Sequence, residues 1–220
     1  MADQYCNFDE LSRCETSGID FSIRLARARA AFAIVAPHGG GIEPGTSEIA
    51  EAIAGDTFSF YAFDGLKSTG NSDLHITSTR FDEPLCSTLL AETDSVVTIH
   101  GEQSEVDGAG VFLGGIDTAL GLLIRGALEA KRFLVRQHAD PDLQGLEPSN
   151  LCNRGKSSQG VQLELSRDVR ETMFESLSRA GRRYKTARFD DFVAAVSAVL
   201  EQRVLRDSAH VACEADGPSR

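Results

Sequence analysis

A continuous apolar run, Phe32 to Ala36, stops at once on Pro37-His38-Gly39-Gly40-Gly41. An apolar run without polar alternation suits a strand covered on both faces, the condition of a strand inside a parallel sheet. Such a strand obliges the chain to supply covering layers on both sides. The rest of the sequence offers them. Phe21 to Leu25 alternates apolar and polar, Thr57 to Phe63 is rich in aromatics, and Ser95 to Ile99, Phe133 to Val135 and Val161 to Leu165 read as further strands. Between them, Thr46 to Ala54 has helix spacing, with Thr46 or Ser47 as cap, Glu48 in the first turn and Gly55 as stop. Asp117 to Ala130 carries Leu120, Leu123, Ile124, Ala127 and Leu128 on one stripe, and Phe189, Phe192, Val193, Val196, Val199 and Leu200 mark a final helix. Strands alternating with helices predict an α/β fold of three layers around a mixed, mostly parallel central sheet.

A chain of 220 residues suffices for a single domain, with its core expected over about residues 20–206 and with 1–15 and 208–220 expected as loose ends. The net charge of −11 argues against broad nucleic-acid or anionic-membrane binding. The longest apolar run, residues 30–36, is far too short to cross a bilayer, and the polar, acidic start MADQYCNFDELSRCE is no signal peptide. The cysteines Cys6, Cys14, Cys86, Cys152 and Cys213 are odd in number and form no C-x-x-C pair, which points to reduced thiols and a cytoplasmic setting. A monomer is expected.

Chemistry concentrates where strands end. In Ile34-Val35-Ala36-Pro37-His38-Gly39-Gly40-Gly41-Ile42-Glu43-Pro44-Gly45-Thr46, a buried strand delivers His38 to the edge where open α/β sheets bind ligands, and Glu43 follows on the same loop. The two can converge on one metal ion. The alternatives are a glycine-rich turn with a merely bonded histidine, and a phosphate cradle, whose G-x-x-x-x-G-K-[ST] spacing is missing. In Ser95-Val96-Val97-Thr98-Ile99-His100-Gly101-Glu102, His100 again closes a strand, although a histidine there can also be a satisfied core residue. His38, Glu43 and His100 together make a three-ligand set for Zn²⁺ that leaves a fourth position for water. In Gly160-Val161-Gln162-Leu163-Glu164-Leu165-Ser166-Arg167, Glu164 faces away from three apolar side chains. It suits a general base beside a metal site, or an ion pair with Arg167. Asn150-Leu151-Cys152-Asn153-Arg154-Gly155 offers Asn153 and Arg154 for a carboxylate, or a solvated loop. His75 and Arg80 fall near a helix start, where Asp82 or Glu83 complements the dipole. His138 and His210 read as surface residues, and Cys152 has no base placed to make it a nucleophile.

The segments APHGGGIEPGTSEIAEAIAG, LHITSTRFDEP, VVTIHGE, LCNRG and GVQLELSR resemble the poly-γ-glutamate hydrolase family of phages and bacterial genomes, from about Asp20 to about Val204. The resemblance implies a zinc-dependent enzyme with a fold similar to the zinc carboxypeptidases, although the first pair is H-x-x-x-x-E rather than their H-x-x-E. It further implies His38, Glu43 and His100 as zinc ligands, Glu164 as the catalytic carboxylate, Asn153 and Arg154 as binders of substrate carboxylate, and Arg80 as a group polarising the scissile carbonyl. The implied reaction is hydrolysis of the γ-glutamyl amide bonds of poly-γ-glutamate. Hydrolysis of a smaller γ-glutamyl or peptide amide, and a metal-free binding protein on the same fold, are the competing expectations.

Overall fold

A computed structural model describes residues 3–29, 31–102 and 109–215, the side chains of 208–215 excepted. The strands are β1 (Phe21–Ala26), β2 (Phe32–Gly40), β3 (Ser59–Gly65), β4 (Ser95–Glu102), β5 (Val111–Gly114), β6 (Val135–Arg136) and β7 (Gly160–Ser166). The helices are α1 (Phe8–Cys14), α2 (Thr46–Ala54), α3 (Pro84–Glu92), α4 (Thr118–Ala130), α5 (Arg167–Met173) and α6 (Ala187–Ala215). The strands form one seven-stranded sheet in the order β1-β3-β2-β4-β7-β5-β6. The centre, β3-β2-β4-β7, is parallel, whereas β1 pairs antiparallel to β3 and β5 antiparallel to β7. The expected three-layer α/β sheet is what forms.

All of β2, β3 and β7 is buried, which explains why their sequences alternate so little. One apolar layer joins Ile34, Val97 and Leu163 of the sheet to Ile49 of α2, Leu120, Ile124 and Leu128 of α4, and Phe192, Val196 and Leu200 of α6. The other joins Val35, Tyr61 and Val96 to Leu11 of α1 and to Cys86, Leu89 and Leu90 of α3.

Three local expectations need correction. The cap of α2 is neither Thr46 nor Ser47 but Gly45, at φ 101°, while the Ser47 hydroxyl turns back to accept from the Gly40 N–H. Residues 3–15 are not a loose end, because Tyr5 and Leu11 are buried and the Asn7 side chain caps α1. Arg167 does not pair with Glu164; it lies on the surface and pairs with Glu171 one helical turn on. Glu83 caps α3 through the Cys86 N–H, as its position before Pro84 suggests. The side chains of His210 and Cys213 lie outside the described residues.

Candidate metal centre and cavity

The site sits where β2 and β4 part. Their ladder ends at Val35–Thr98, and β2 shifts register against β3 between Ala36 and Gly39. The chain continues from β2 to β3 on one side of the sheet, and β4 lies on the other, so this is a topological switch point with a crevice at the carboxyl ends of the strands. His38 leaves β2 within the irregular stretch, and His100 lies on β4 directly opposite Glu164 of β7. The loop after β2 folds back, the Glu43 N–H donating to the His38 carbonyl at 2.8 Å, and this returns the Glu43 carboxylate to His38.

His38 Nδ1 stands 3.0 Å from Glu43 Oε1 and 3.2 Å from His100 Nδ1, and His100 Nδ1 stands 3.8 Å from Glu43 Oε2. His38 Nε2 donates to the Ile76 carbonyl at 2.9 Å, and although burial opposes it, the Glu43 carboxylate raises the His38 pKa and favours a second proton on Nδ1, which a cation would displace. His100 is neutral: burial, with the charges of His38 and His75 added and Glu43 opposing, takes its pKa down to about 3. Burial works against the Glu43 charge, yet the neighbouring His38, His100 and His75 outweigh it and hold the carboxyl at about 2. With the His38 Nδ1 proton displaced, three electron-pair donors converge where a cation fits. Ligands about 2.0–2.1 Å from a tetrahedral ion stand roughly 3.3–3.4 Å from one another, which the observed separations bracket.

His75 also brings a ring nitrogen within 4.8 Å of donor atoms of His38 and Glu43. Its ring, however, stacks on His38 with centroids 4.0 Å apart at 34°, whereas His38 and His100 stand 5.0 Å apart at 60°. Two imidazoles on one tetrahedral ion hold their centroids about 5 Å apart, so the His38–Glu43–His100 set fits the ion and His75 flanks it. Asp3 accepts from His75 Nδ1 at 2.7 Å, from the Thr77 N–H at 2.8 Å and from Arg80 at 2.7 Å.

His38, Glu43, His75 and His100 line a cavity of about 160 Å³ together with Ser78, Glu102, Asp142, Gln162 and Glu164. Gln162 Nε2 donates to Glu164 Oε1 at 3.0 Å, and Asn150 in turn holds Gln162. Burial first, then the Glu43 and Glu102 carboxylates, push the Glu164 pKa well above the usual range, with Arg170 opposing. Glu164 therefore keeps a proton under conditions where an exposed glutamate has lost it.

The structure brings His38, Glu43, His100 and Glu164 to one cavity. It does not bring Asn153, Arg154 or Arg80 to its lining. The Asn153 amide donates to the carbonyls of Gly145 and Glu147, and the Arg154 guanidinium is spent on the Phe81 carbonyl and the Ser87 hydroxyl. His138 is not a surface residue: it is buried against Phe112, and its Nε2 donates to Glu102 Oε1 at 2.9 Å. Glu102 and Gln162 passed unnoticed although a period of two from His100 and Glu164 puts each on the cavity face. Asp3 left no local signal, since it meets His75 across 72 positions of sequence.

An α/β sheet with a polar, histidine-bearing cavity at a switch point defines the class, and the comparisons define the family. Residues 5–195 match the family model described as poly-gamma-glutamate hydrolase. YmaC of Bacillus subtilis, a UPF0714 protein, is 37% identical over 203 residues, 91% of this chain and 85% of its own. Among solved structures, a bacteriophage poly-gamma-glutamate hydrolase superposes with a TM-score of 0.87 at 34% identity, covering 92% of this chain and 98% of its own. A zinc-free structure of YndL gives a TM-score of 0.83 at 33% identity, covering 91% and 98%. The chain belongs to the poly-γ-glutamate hydrolase family.

Proposed function

We propose that this chain is a zinc-dependent hydrolase that cleaves the γ-glutamyl amide bonds of poly-γ-glutamate. The observation that carries the reading is the convergence of His38 Nδ1, His100 Nδ1 and the Glu43 carboxylate, with His38 Nε2–H committed to Ile76, beside the buried Glu164 carboxyl, which a bound cation would ionise. The family membership and the zinc-free form of YndL support it from outside. His38, Glu43 and His100 would hold the zinc, which supplies Lewis acidity to polarise the amide carbonyl and acidify water. Glu164 then takes the proton of the attacking water on its carboxylate and returns it to the amide nitrogen as the C–N bond breaks. Its raised proton affinity suits the second half of that task. Gln162 holds the Glu164 carboxyl in place, and Ser78, within 3.4 Å of His100 Nε2, fixes the His100 ring. Of the three residues to which the resemblance gives contact with substrate, Arg80 alone keeps a half-exposed guanidinium, shared with Asp3. We assign it to a substrate carboxylate at the cavity mouth.

One observation favours a second reading. The cavity lining holds no lysine or arginine among the described residues, which suits a short γ-glutamyl amide better than a polyanion. The test is zinc content by elemental analysis of the wild type and of the His38→Ala, His100→Ala double variant, followed by release of amine from polymer and from short γ-glutamyl amides. Stoichiometric zinc in the wild type alone, with cleavage of the polymer, is expected. A wild type that binds no zinc after reconstitution would overturn the mechanism.

A further inference from the structure

Arg170, on α5, is among the largest fully buried side chains of the molecule and has no ion-pair partner among the described residues. A guanidinium cannot discard its charge, so burying it without a carboxylate is costly unless its donors are satisfied. They are satisfied in an unusual way. Nε donates to the Leu165 carbonyl at 3.1 Å, one terminal nitrogen to the Pro44 carbonyl at 2.8 Å, and the other to the Glu102 carbonyl at 2.8 Å. Those three carbonyls belong to three separate segments. Pro44 follows Glu43, Leu165 follows Glu164, and Glu102 lies two residues beyond His100.

From these contacts, and resting on the zinc-hydrolase reading above, we infer that Arg170 is the positioning residue that locks the Glu43 loop, the His100 strand and the Glu164 strand into one working geometry. The planar fork matters, because a single cation on a flexible stem reaches one or two of these carbonyls and not all three. Gly101 completes the arrangement. A Cβ there would stand 2.6 Å from the guanidinium carbon, so only glycine lets the fork lie against β4. The same Gly101 donates its N–H to Glu43 Oε2 at 2.8 Å, so the residue that admits the arginine also orients a metal-binding carboxylate. The guanidinium charge further opposes the repulsion that Glu43 and Glu102 exert on Glu164.

The experiment compares wild type, Arg170→Lys, Arg170→Met and Gly101→Ala, each first shown to be folded by circular dichroism. Three readouts follow: zinc affinity by chelator competition, kcat and KM on a γ-glutamyl oligomer, and hydrogen exchange at the Gly101 amide of the metal-free protein. Arg170→Met is expected to lose zinc affinity and kcat by about 10- to 100-fold each, the range for groups that orient metal ligands, with KM little changed. Arg170→Lys should recover part of the loss, and Gly101→Ala should reproduce it with Arg170 intact. The Gly101 amide should exchange faster in Arg170→Met. A folded Arg170→Met with wild-type zinc affinity, kcat and Gly101 protection would overturn the inference. So would a Gly101→Ala variant that matches the wild type. If the wild type itself neither binds zinc nor cleaves substrate, the hydrolase reading fails, and amide exchange at Gly101 still decides whether Arg170 locks these segments.

Discussion

Replacing Glu164 by glutamine separates the chemistry of the cavity from its architecture. The amide matches the carboxyl in shape, and its oxygen can still accept from Gln162 Nε2, which now stands 3.0 Å from Glu164 Oε1. What disappears is the ability to take and return a proton. General acid–base catalysis contributes about 10²–10⁴-fold, or roughly 3–5 kcal/mol of barrier, and kcat should fall by that amount with KM nearly unchanged. Stability should move the other way. In the metal-free protein the Glu164 pKa is raised well above its ordinary value by burial and by the Glu43 and Glu102 carboxylates, so unfolding releases its proton at neutral pH. Below about pH 4.3 both folded and unfolded states hold that proton, and the substitution should change little. Above it, wild type loses about 1.4 kcal/mol per pH unit relative to Glu164→Gln until the folded-state pKa is passed. Urea unfolding of both proteins, stripped of metal and measured from pH 4 to pH 8, checks this. A variant that keeps wild-type turnover, or that is less stable than wild type at pH 7, would refute the reasoning.

Other residues give sharper single answers. Leu163 is fully buried between the layers, and Leu163→Ala should cost about 2–5 kcal/mol in urea unfolding. Asp3 is buried, yet bonds from the Thr77 N–H and His75 hold its pKa below the usual value; Asp3→Asn should cost about 1 kcal/mol at pH 7, once screening around half-exposed Arg80 is allowed for. A depressed carboxylate stabilises above its unfolded pKa, so this difference should shrink as the pH falls below about 4, and a difference constant with pH would contradict it. Arg154→Ala should lower stability by about 1–2 kcal/mol through its lost bonds to Phe81 and Ser87 while leaving KM unchanged, as steady-state kinetics and thermal melting can show together.

How far the fold could be read from the sequence depended on how local its causes are. The continuous run at β2 announced a doubly covered strand, and α2 came out with the expected limits because Glu48, Ile49, Ile53 and Gly55 act within two turns. That His38, Glu43, His100 and Glu164 meet at one cavity was legible because His38, His100 and Glu164 stand at or within strands whose period is visible and Glu43 follows on the loop after one of them. What was not legible shares a cause. Asn153 and Arg154 have the right residue types, but carbonyls of Gly145, Glu147 and Phe81 claim them, and nothing in a six-residue turn reveals partners arriving from elsewhere. His138 looked solvated among Gln137, Asp140 and Asp142, yet it closes over Glu102 from a distant strand. Arg170 is harder still: an arginine in a helix beside Arg167, Asp168 and Glu171 reads as surface, and only the convergence of two strand ends and the Glu43 loop makes it core.

Hydrolysis of an amide leaves behind a new carboxylate and a new amine. On the proposed reading the acid would be born in a chamber edged by Glu43, Glu102, Asp142 and Glu164, with no arginine or lysine among the described lining residues to retain it. With Glu43 spent on the cation, the Glu102 and Asp142 carboxylates would counter the hold of that cation on the fresh anion and oppose its return. The arrangement that makes capture of an anionic chain demanding thus makes its discharge easy, so accumulating fragments should inhibit weakly and turnover should not wait on their departure.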